Sequence, residues 1–457
     1  MSYISYMRFY IVALLLFSLM GSAAADICSG NMSIAALYYD SGRTSLAASS
    51  YQRAAICFEK DKNYYLAYDN YENAANLYLS LGEYDKAVAN YINASSNAER
   101  VGRLREAGNF YTLAADTEMK KRKSSSDLIF QFYDAAIKDY QDANERKLAI
   151  SVAEKALNFS IETGNVNASL HYFDKLSSLH ALMRDYKSAC YYLKEKAVYM
   201  EKENEGYEDT ADAYFEAARC YLEELENRSL CSENVEKAKA VVLGRNAGLE
   251  AFYEAGIANC YKGSRDQLHA YACFKHMRKS AELYEKMGNL SAAADKYKES
   301  AECFSLVKDI SEMAKSEVKE SYLKCISLYS ALSYDAQIKG NSNKASQYAE
   351  LMKACAKGRD DWKAFESFLN NYIYALQTGE NISEYDIKTL ISNPSSPIAV
   401  NKTAEQPVSS QTEKEDYSWL YVSLIVLVLI VVSALYFLLG KKGKKEEIKK
   451  KNELDFA

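Results

Sequence analysis

The sequence predicts an all-α array of antiparallel helix pairs, and three observations predict it. First, the front of the chain repeats at a step of twenty residues: Gly42, Lys62, Gly82 and Gly102 share one phase, Ala47, Ala67, Ala87 and Ala107 a second, Tyr51, Tyr71, Tyr91 and Tyr111 a third, and Ala54, Ala74, Ala94 and Ala114 a fourth. Twenty residues fit one helix of four to five turns plus a short turn. Second, the only prolines among 457 residues are Pro394, Pro397 and Pro407, so the long body runs without a residue that sheet turns normally need. Third, a single core does not grow well to this length, whereas a stack of hairpins does, because each hairpin needs only its neighbours.

In chain order, residues 1–25 come first. They hold one charge, Arg8, then an apolar run from Phe9 to Met20 and the small residues Gly21-Ser22-Ala23-Ala24-Ala25. This is the pattern of a secretory signal, with cleavage expected before Asp26. An uncleaved N-terminal anchor is the alternative. Lipidation at Cys28 is disfavoured because Ile27 precedes it where that processing wants a small residue.

Residues 26–392 are expected to form the array. In each unit an Ala, an aromatic four residues on and an Ala three residues further share one helix face, which makes the stripe core. The turns carry stop and start chemistry: Gly82 is suited to the left-handed conformation that ends a helix, with Asp85 as the expected cap of the next, and Gly288 with Ser291 repeats the arrangement. A weaker echo runs through Gly164, Ser169 and Phe173 to Arg184, Ala189 and Leu193. Sixteen or seventeen helices are expected. Residues 227–250 break the phase and read as a longer turn or a joint.

At these residues the chain meets a known family. The segment 69–102, with Tyr71, Ala74, Ala75, Tyr78, Gly82, Tyr84, Ala87, Tyr91 and Ala94, resembles a tetratricopeptide repeat, and 277–303 matches again through Ala281, Tyr284, Gly288, Leu290, Ala293 and Tyr297. The family's terminal Pro is absent. Runs at 74–78 and 301–304 look closer to the longer hairpins of the soluble attachment proteins of vesicle fusion. The resemblance covers residues 32–377 and implies a right-handed superhelical solenoid whose curved groove binds proteins or peptides. The matching positions are packing positions, so it speaks to fold more than to function.

Residues 393–417 hold all three prolines with Ser, Thr, Gln and Glu, and read as a disordered stalk, with ends separated by about 25–30 Å. Residues 418–439 contain no charge and are dominated by Leu, Ile and Val, enough for a helix to span about 30 Å of hydrocarbon, with Trp419, Tyr421 and Tyr436 at the edges. Residues 440–457 follow with Lys441, Lys442, Lys444, Lys445, Lys449, Lys450 and Lys451. Excess positive charge marks the cytoplasmic side of a span. The array is then expected outside the cytoplasm, where the signal segment independently sends it.

The net charge of −6, set against a basic tail, leaves −10 on residues 26–417. An acidic ectodomain does not recommend nucleic acid as a ligand. The run Lys120–Lys123 reads as a solvated loop. Ten cysteines in an exported chain suggest disulfides by compartment. Against that, Cys57, Cys220, Cys260 and Cys303 recur at one structural phase, as small buried packers do. If bridges form, Cys220 with Cys231 and Cys260 with Cys273 have hairpin spacing.

One metal constellation is visible: His269, Cys273 and His276 share a helix face by their spacing of four and three. A fourth ligand and an acidic base are missing, so a polar helix face is the preferred reading. His171 and His180 have no recognisable partners. No phosphate loop, nucleophile elbow or paired carboxylate motif is present, so neither catalysis nor a cofactor is expected. Eight Asn-x-Ser/Thr sites occur, at Asn31, Asn93, Asn158, Asn167, Asn227, Asn289, Asn381 and Asn401. Asn401, Asn289, Asn167, Asn381 and Asn227 are the glycosylation candidates; Asn93 abuts a core Ala and is expected to be hidden. Some of this excess reflects Asn and Ser capping helix starts.

The expectation is thus a membrane-anchored extracytoplasmic scaffold for envelope proteins or peptides, single-pass through 418–439. A membrane-trafficking adaptor with a cytoplasmic array is the alternative, and a surface hydrolase or metal protein the third reading.

Overall fold

The structure, a computed structural model, describes residues 27–359 and seven helical positions between Lys363 and Thr378. The chain divides into two units, Met1–Pro397 and Ile398–Ala457, and every described residue belongs to the first. The expected signal segment, stalk, span and tail lie outside the described residues. Among the described residues no helix is long and apolar enough to cross a membrane.

The described residues form sixteen helices and no strand: α1 (27–40), α2 (Thr44–Lys60), α3 (Tyr64–Ser80), α4 (Tyr84–Arg100), α5 (Leu104–Glu118), α6 (Ser126–Asp142), α7 (Arg146–Glu162), α8 (Val166–Leu182), α9 (Tyr186–Lys202), α10 (Tyr207–Glu223), α11 (Arg228–Val242), α12 (Ala247–Tyr261), α13 (Gln267–Lys286), α14 (Leu290–Glu302), α15 (Glu312–Ile338) and α16 (Ser342–Ala356). Each packs chiefly on the helices before and after it in the chain. This is a tetratricopeptide-like array of helical hairpins, with the one-dimensional connectivity of a repeat protein.

The twenty-residue step has a backbone cause. Gly42, Lys62, Gly82, Gly102, Gly164 and Arg184 all take positive φ at the residue that ends one helix and starts the turn to the next. At Gly82 the turn closes with its N–H on the Leu79 carbonyl and the Glu83 N–H on the Tyr78 carbonyl, which satisfies carbonyls that the helix end would orphan. Lys62 and Arg184 hold the same conformation with a side chain, at φ 60° and 59°.

The caps differ from expectation in detail. Glu83, not Asp85, stands at the N-cap of α4, and it makes no side-chain cap; Asp85 lies in the first turn, where a carboxylate favours the helix N-terminus. It also pairs with Lys121 at 2.6 Å. Before α14 the cap is Asn289, whose side chain accepts from the Ala292 N–H at 3.2 Å, rather than Ser291. Asn63, Asn165, Asp185, Asn227 and Asn246 cap their helices in the same way.

The stripe is core. Ala67, Ala74, Ala87, Ala94, Ala107 and Ala114 are fully buried, and Tyr71, Tyr91, Tyr133, Tyr214, Tyr297 and Tyr329 are buried with them. A buried hydroxyl needs a partner, and the helix before supplies it. Tyr71 donates to Glu59 at 2.8 Å, Tyr91 to Asn76 at 2.5 Å, Tyr133 to Asp116 at 3.0 Å, Tyr214 to Glu201 at 2.6 Å, Tyr297 to Glu285 at 2.8 Å, and Tyr329 to Asp295. Each ring thus adds apolar area while its hydroxyl pins neighbouring helices in register. Burial holds the Tyr91 phenol up at about 12, so these hydroxyls stay protonated donors at any physiological pH.

One core runs without a break from Cys28 on α1 to Tyr199 on α9. Beyond it the helices become uneven, with 15 residues in α12, 20 in α13, 13 in α14 and 27 in α15, and the buried side chains separate into three smaller cores. The expected break at 227–250 resolves into the shorter helix α11 and a turn at 243–246, and one of the smaller cores crosses it through Val235, Val242 and Tyr253.

All ten cysteines are bridged: Cys28–Cys57, Cys190–Cys220, Cys231–Cys260, Cys273–Cys303 and Cys325–Cys355, with Cα–Cα distances from 5.3 to 6.1 Å. The reading of the recurrent cysteines as free packers is therefore corrected, and so are the pairs Cys220 with Cys231 and Cys260 with Cys273. The recurrent phase of Cys57, Cys220, Cys260 and Cys303 marks the second partner of each bridge, and the first lies 29 or 30 residues earlier on the preceding helix. Spacing across a turn favours residues eleven to thirteen apart, whereas two helices in register bring together residues a helix and a half apart.

Candidate interaction surface

The bridges fix which helices form pairs. Every one joins an odd-numbered helix to the even-numbered helix after it, so α1/α2, α9/α10, α11/α12, α13/α14 and α15/α16 are the covalently closed hairpins. With that register set, the two helices of each hairpin present different side chains to solvent.

Most tyrosines of the repeat phase are spoken for by the core. Tyrosines that stay exposed lie elsewhere: Tyr39 on α1, Tyr65 on α3, Tyr191 on α9, Tyr271 on α13, and Tyr374 in the helical residues after α16. The four on numbered helices all sit on the first helix of a hairpin. Tyr65 leans edge-on against Tyr68, and Tyr191 against Tyr192, each at ring-centroid distances of 5.1 and 5.6 Å. Such pairs hold the outer ring in place at little further entropic cost.

Side chains two helices apart meet across the surface. Arg100 on α4 reaches Glu59 on α2 at 3.2 Å, Lys155 on α7 reaches Asp116 on α5 at 3.1 Å, and Arg278 on α13 reaches Glu320 on α15 at 2.9 Å. These pairs are solvent-exposed at one partner or both, so each contributes about 0–1 kcal/mol, and together they favour one stacking register. Between the start of α13 and the start of α15 an open cleft of 420 Å³ is lined by Gln267, Lys308, Asp309, Ile310, Ser311 and Lys315, with the exposed apolar side chains of Leu268 and Met313 within two residues of its lining. The turn from 303 to 311, the longest among the described helices, forms its floor.

The three residues of the metal constellation do not converge. Cys273 is in the Cys273–Cys303 bridge, which removes its thiolate; His269 meets Ser264 at 3.1 Å; His276 meets Glu254 at 2.8 Å. The last contact belongs to a site that sequence spacing did not suggest. Glu254 on α12 is only 5% exposed, and its second oxygen accepts from Lys239 of α11 at 3.2 Å. Burial alone would raise the Glu254 pKa, but the hydrogen bond from His276 and the Lys239 charge outweigh it and hold the carboxyl below its ordinary range. This three-helix clamp ties α11, α12 and α13 together. His171 meets Asp134 at 3.4 Å and His180 meets Asp185 at 3.0 Å, so both have acidic partners that the sequence did not reveal.

Of the glycosylation candidates, Asn167 and Asn289 are exposed and Asn227 is half-buried; Asn381 and Asn401 lie outside the described residues. Asn227 and Asn289 are N-caps that use only the side-chain oxygen, which leaves the amide nitrogen available. Asn93 is exposed on α4, not hidden, because the helix turns its side chain away from the neighbouring core Ala94.

No protein-family model matches the chain, and no curated protein does. Among solved structures, the chain is similar to a circular tandem repeat protein with a novel repeat topology at 13% identity, over 82% of this chain and 98% of the other, with a TM-score of 0.31. It is similar to a signal-transduction ATPase with a tetratricopeptide repeat sensor from Pyrococcus horikoshii at 14% identity, over 72% of this chain and 53% of that one, with a TM-score of 0.31. A third likeness is to the P58(IPK) TPR domain, at 12% identity over 77% and 98% of the two chains, with a TM-score of 0.16. The tetratricopeptide character of this array rests on its own helices and turns.

Proposed function

We propose that this chain is a membrane-anchored, extracytoplasmic scaffold whose array recognises a protein or peptide of the cell envelope through the first helices of its hairpins. The observation that carries the reading is the placement of Tyr39, Tyr65, Tyr191 and Tyr271 on odd-numbered helices, while the buried tyrosines serve the core. A superhelix of such hairpins forms an extended concave surface, and the proposal assigns the first helices to it. An exposed tyrosine held by a neighbouring ring offers apolar area and a hydroxyl with few torsions to freeze, which suits recognition of an extended segment.

Export is supported by the signal-like residues 1–25, by the lysines after 418–439 and by five disulfides, since cytosolic thiols are kept reduced. The same disulfides weigh against a cytoplasmic trafficking adaptor. Asn289, Asn167 and Asn227, with Asn401 and Asn381, are the sites where an exported form would carry glycans. The proposal assigns recognition to the array and no catalytic step.

The test is crosslinking in native membranes with full-length chain, comparing wild type with Tyr65→Ala, Tyr191→Ala and Tyr271→Ala. Loss of the same crosslinked neighbour in the variants, with unchanged far-UV circular dichroism, supports the groove; an unchanged crosslinking pattern in all three contradicts it.

A further inference from the structure

We propose that α9–α16 is a redox-conditional half of the array, folded only when its cystines are closed, whereas α3–α8 folds irrespective of redox state. The inference rests on how bridges and cores coincide. No cysteine occurs between Cys57 and Cys190, so α3–α8 carry no bridge at all, and they lie inside the one continuous core. From α9 onward every hairpin is bridged. Each of the three smaller cores contains one complete cystine: Cys231–Cys260 in the first, Cys273–Cys303 in the second and Cys325–Cys355 in the third. Cys190–Cys220 joins α9 to α10, where the long core hands over to the first small one.

Regular helices stack into a shared core, and each hairpin then borrows stability from both neighbours. Uneven helices break that sharing, and the smaller a core, the smaller the share of its chain's surface it buries. Closing a loop of about 30 residues shifts the local opening equilibrium on the order of 10²–10³-fold toward the closed form. The bridges therefore stand where the core is divided. The Cys28–Cys57 bridge holds α1, the first of the described helices, to α2.

The consequence is that Tyr191 and Tyr271, and the cleft between α13 and α15, become available to a partner only after oxidation, while Tyr65 is presented in either state. A chain retained in a reducing compartment would show half of its surface. This inference does not depend on the recognition role, since it concerns folding alone.

The experiment is hydrogen exchange followed by mass spectrometry on the full-length chain in detergent, before and after reduction by a phosphine. Each cystine then takes up two electrons and two protons, the phosphine is oxidised to its oxide, and water supplies the oxygen and the protons; alkylation mass shifts count the thiols formed. The expected result is at least tenfold faster exchange across α9–α16 with α3–α8 unchanged. Even loss of protection from α2 to α16, or unchanged protection of α9–α16 with all ten thiols alkylated, overturns the proposal. Because buried cystines resist reduction, the paired variant Cys231→Ala/Cys260→Ala is measured in parallel. Faster exchange confined to the neighbourhood of α11 and α12 supports the inference, and exchange like that of wild type contradicts it.

Discussion

His276 Nδ1 lies 2.8 Å from the Glu254 carboxylate, and that carboxylate is buried where α11, α12 and α13 meet. A buried charge is tolerated only when paired on all sides, and here Lys239 completes the set. Glu254→Gln is expected to weaken this joint by about 1–3 kcal/mol at neutral pH, because it leaves Lys239 facing a neutral group. The Glu254 pKa is depressed in the folded chain, so its stabilisation is present above the unfolded carboxyl pKa and is lost as pH falls through the lower folded value. Hydrogen exchange in α11–α13 should therefore quicken in the variant at pH 7, and the difference should fade on acidification.

Asp139 behaves in the opposite sense. It is buried on α6, its Oδ2 has no hydrogen-bond partner among the described residues, and burial with the nearby Glu99 charge raises its pKa to about 7. Between the unfolded value near 4 and the folded value, the unfolded chain is ionised and the folded one is not, so stability declines as pH rises through this window. Asp139→Asn should leave stability unchanged below about pH 4, stabilise increasingly up to about pH 7 and level off there, by about 1–3 kcal/mol. Urea unfolding followed across that pH range checks it.

Lys62 and Arg184 hold φ near 60° where Gly82 and Gly102 stand in sister turns. A side chain in this region costs about 1 kcal/mol, part of which the greater freedom of unfolded glycine offsets. Lys62→Gly and Arg184→Gly should each raise stability by about 0.5 kcal/mol, read as a higher urea midpoint, and Gly82→Ala should lower it by about 1 kcal/mol.

Gly256 on α12 sits where a Cβ would come within 2.9 Å of the Phe215 ring and 3.0 Å of a Val235 methyl. Both neighbours are packed side chains on α10 and α11. Gly256→Ala is expected to destabilise by about 1–3 kcal/mol through overpacking, seen as faster exchange in α10–α12.

The repeat was legible because it is written in residues whose role is local. Gly82 ends a helix by its own backbone freedom, and Ala74 with Tyr71 and Tyr78 marks a face by spacing alone, so the sequence carries them openly. The Cys190–Cys220 bridge and the Glu254–His276–Lys239 clamp were not legible, since each depends on the register of helices, and register is a property of the stack. The cap at Glu83 was missed for a related reason: Asp85 is the better capping type, but the turn at Gly82 begins the helix two residues sooner. Exposed tyrosines could be separated from buried ones only once hydroxyl partners such as Glu59 and Asp116 were in place.

Export of the array decides between a scaffold of the envelope and an adaptor in the cytoplasm, and protease treatment of intact cells tests it most directly. With epitopes placed at the array and at the Lys-rich end, added protease is predicted to remove the array signal and spare a small fragment carrying 440–457. An array that survives intact until the membrane is opened would contradict the account.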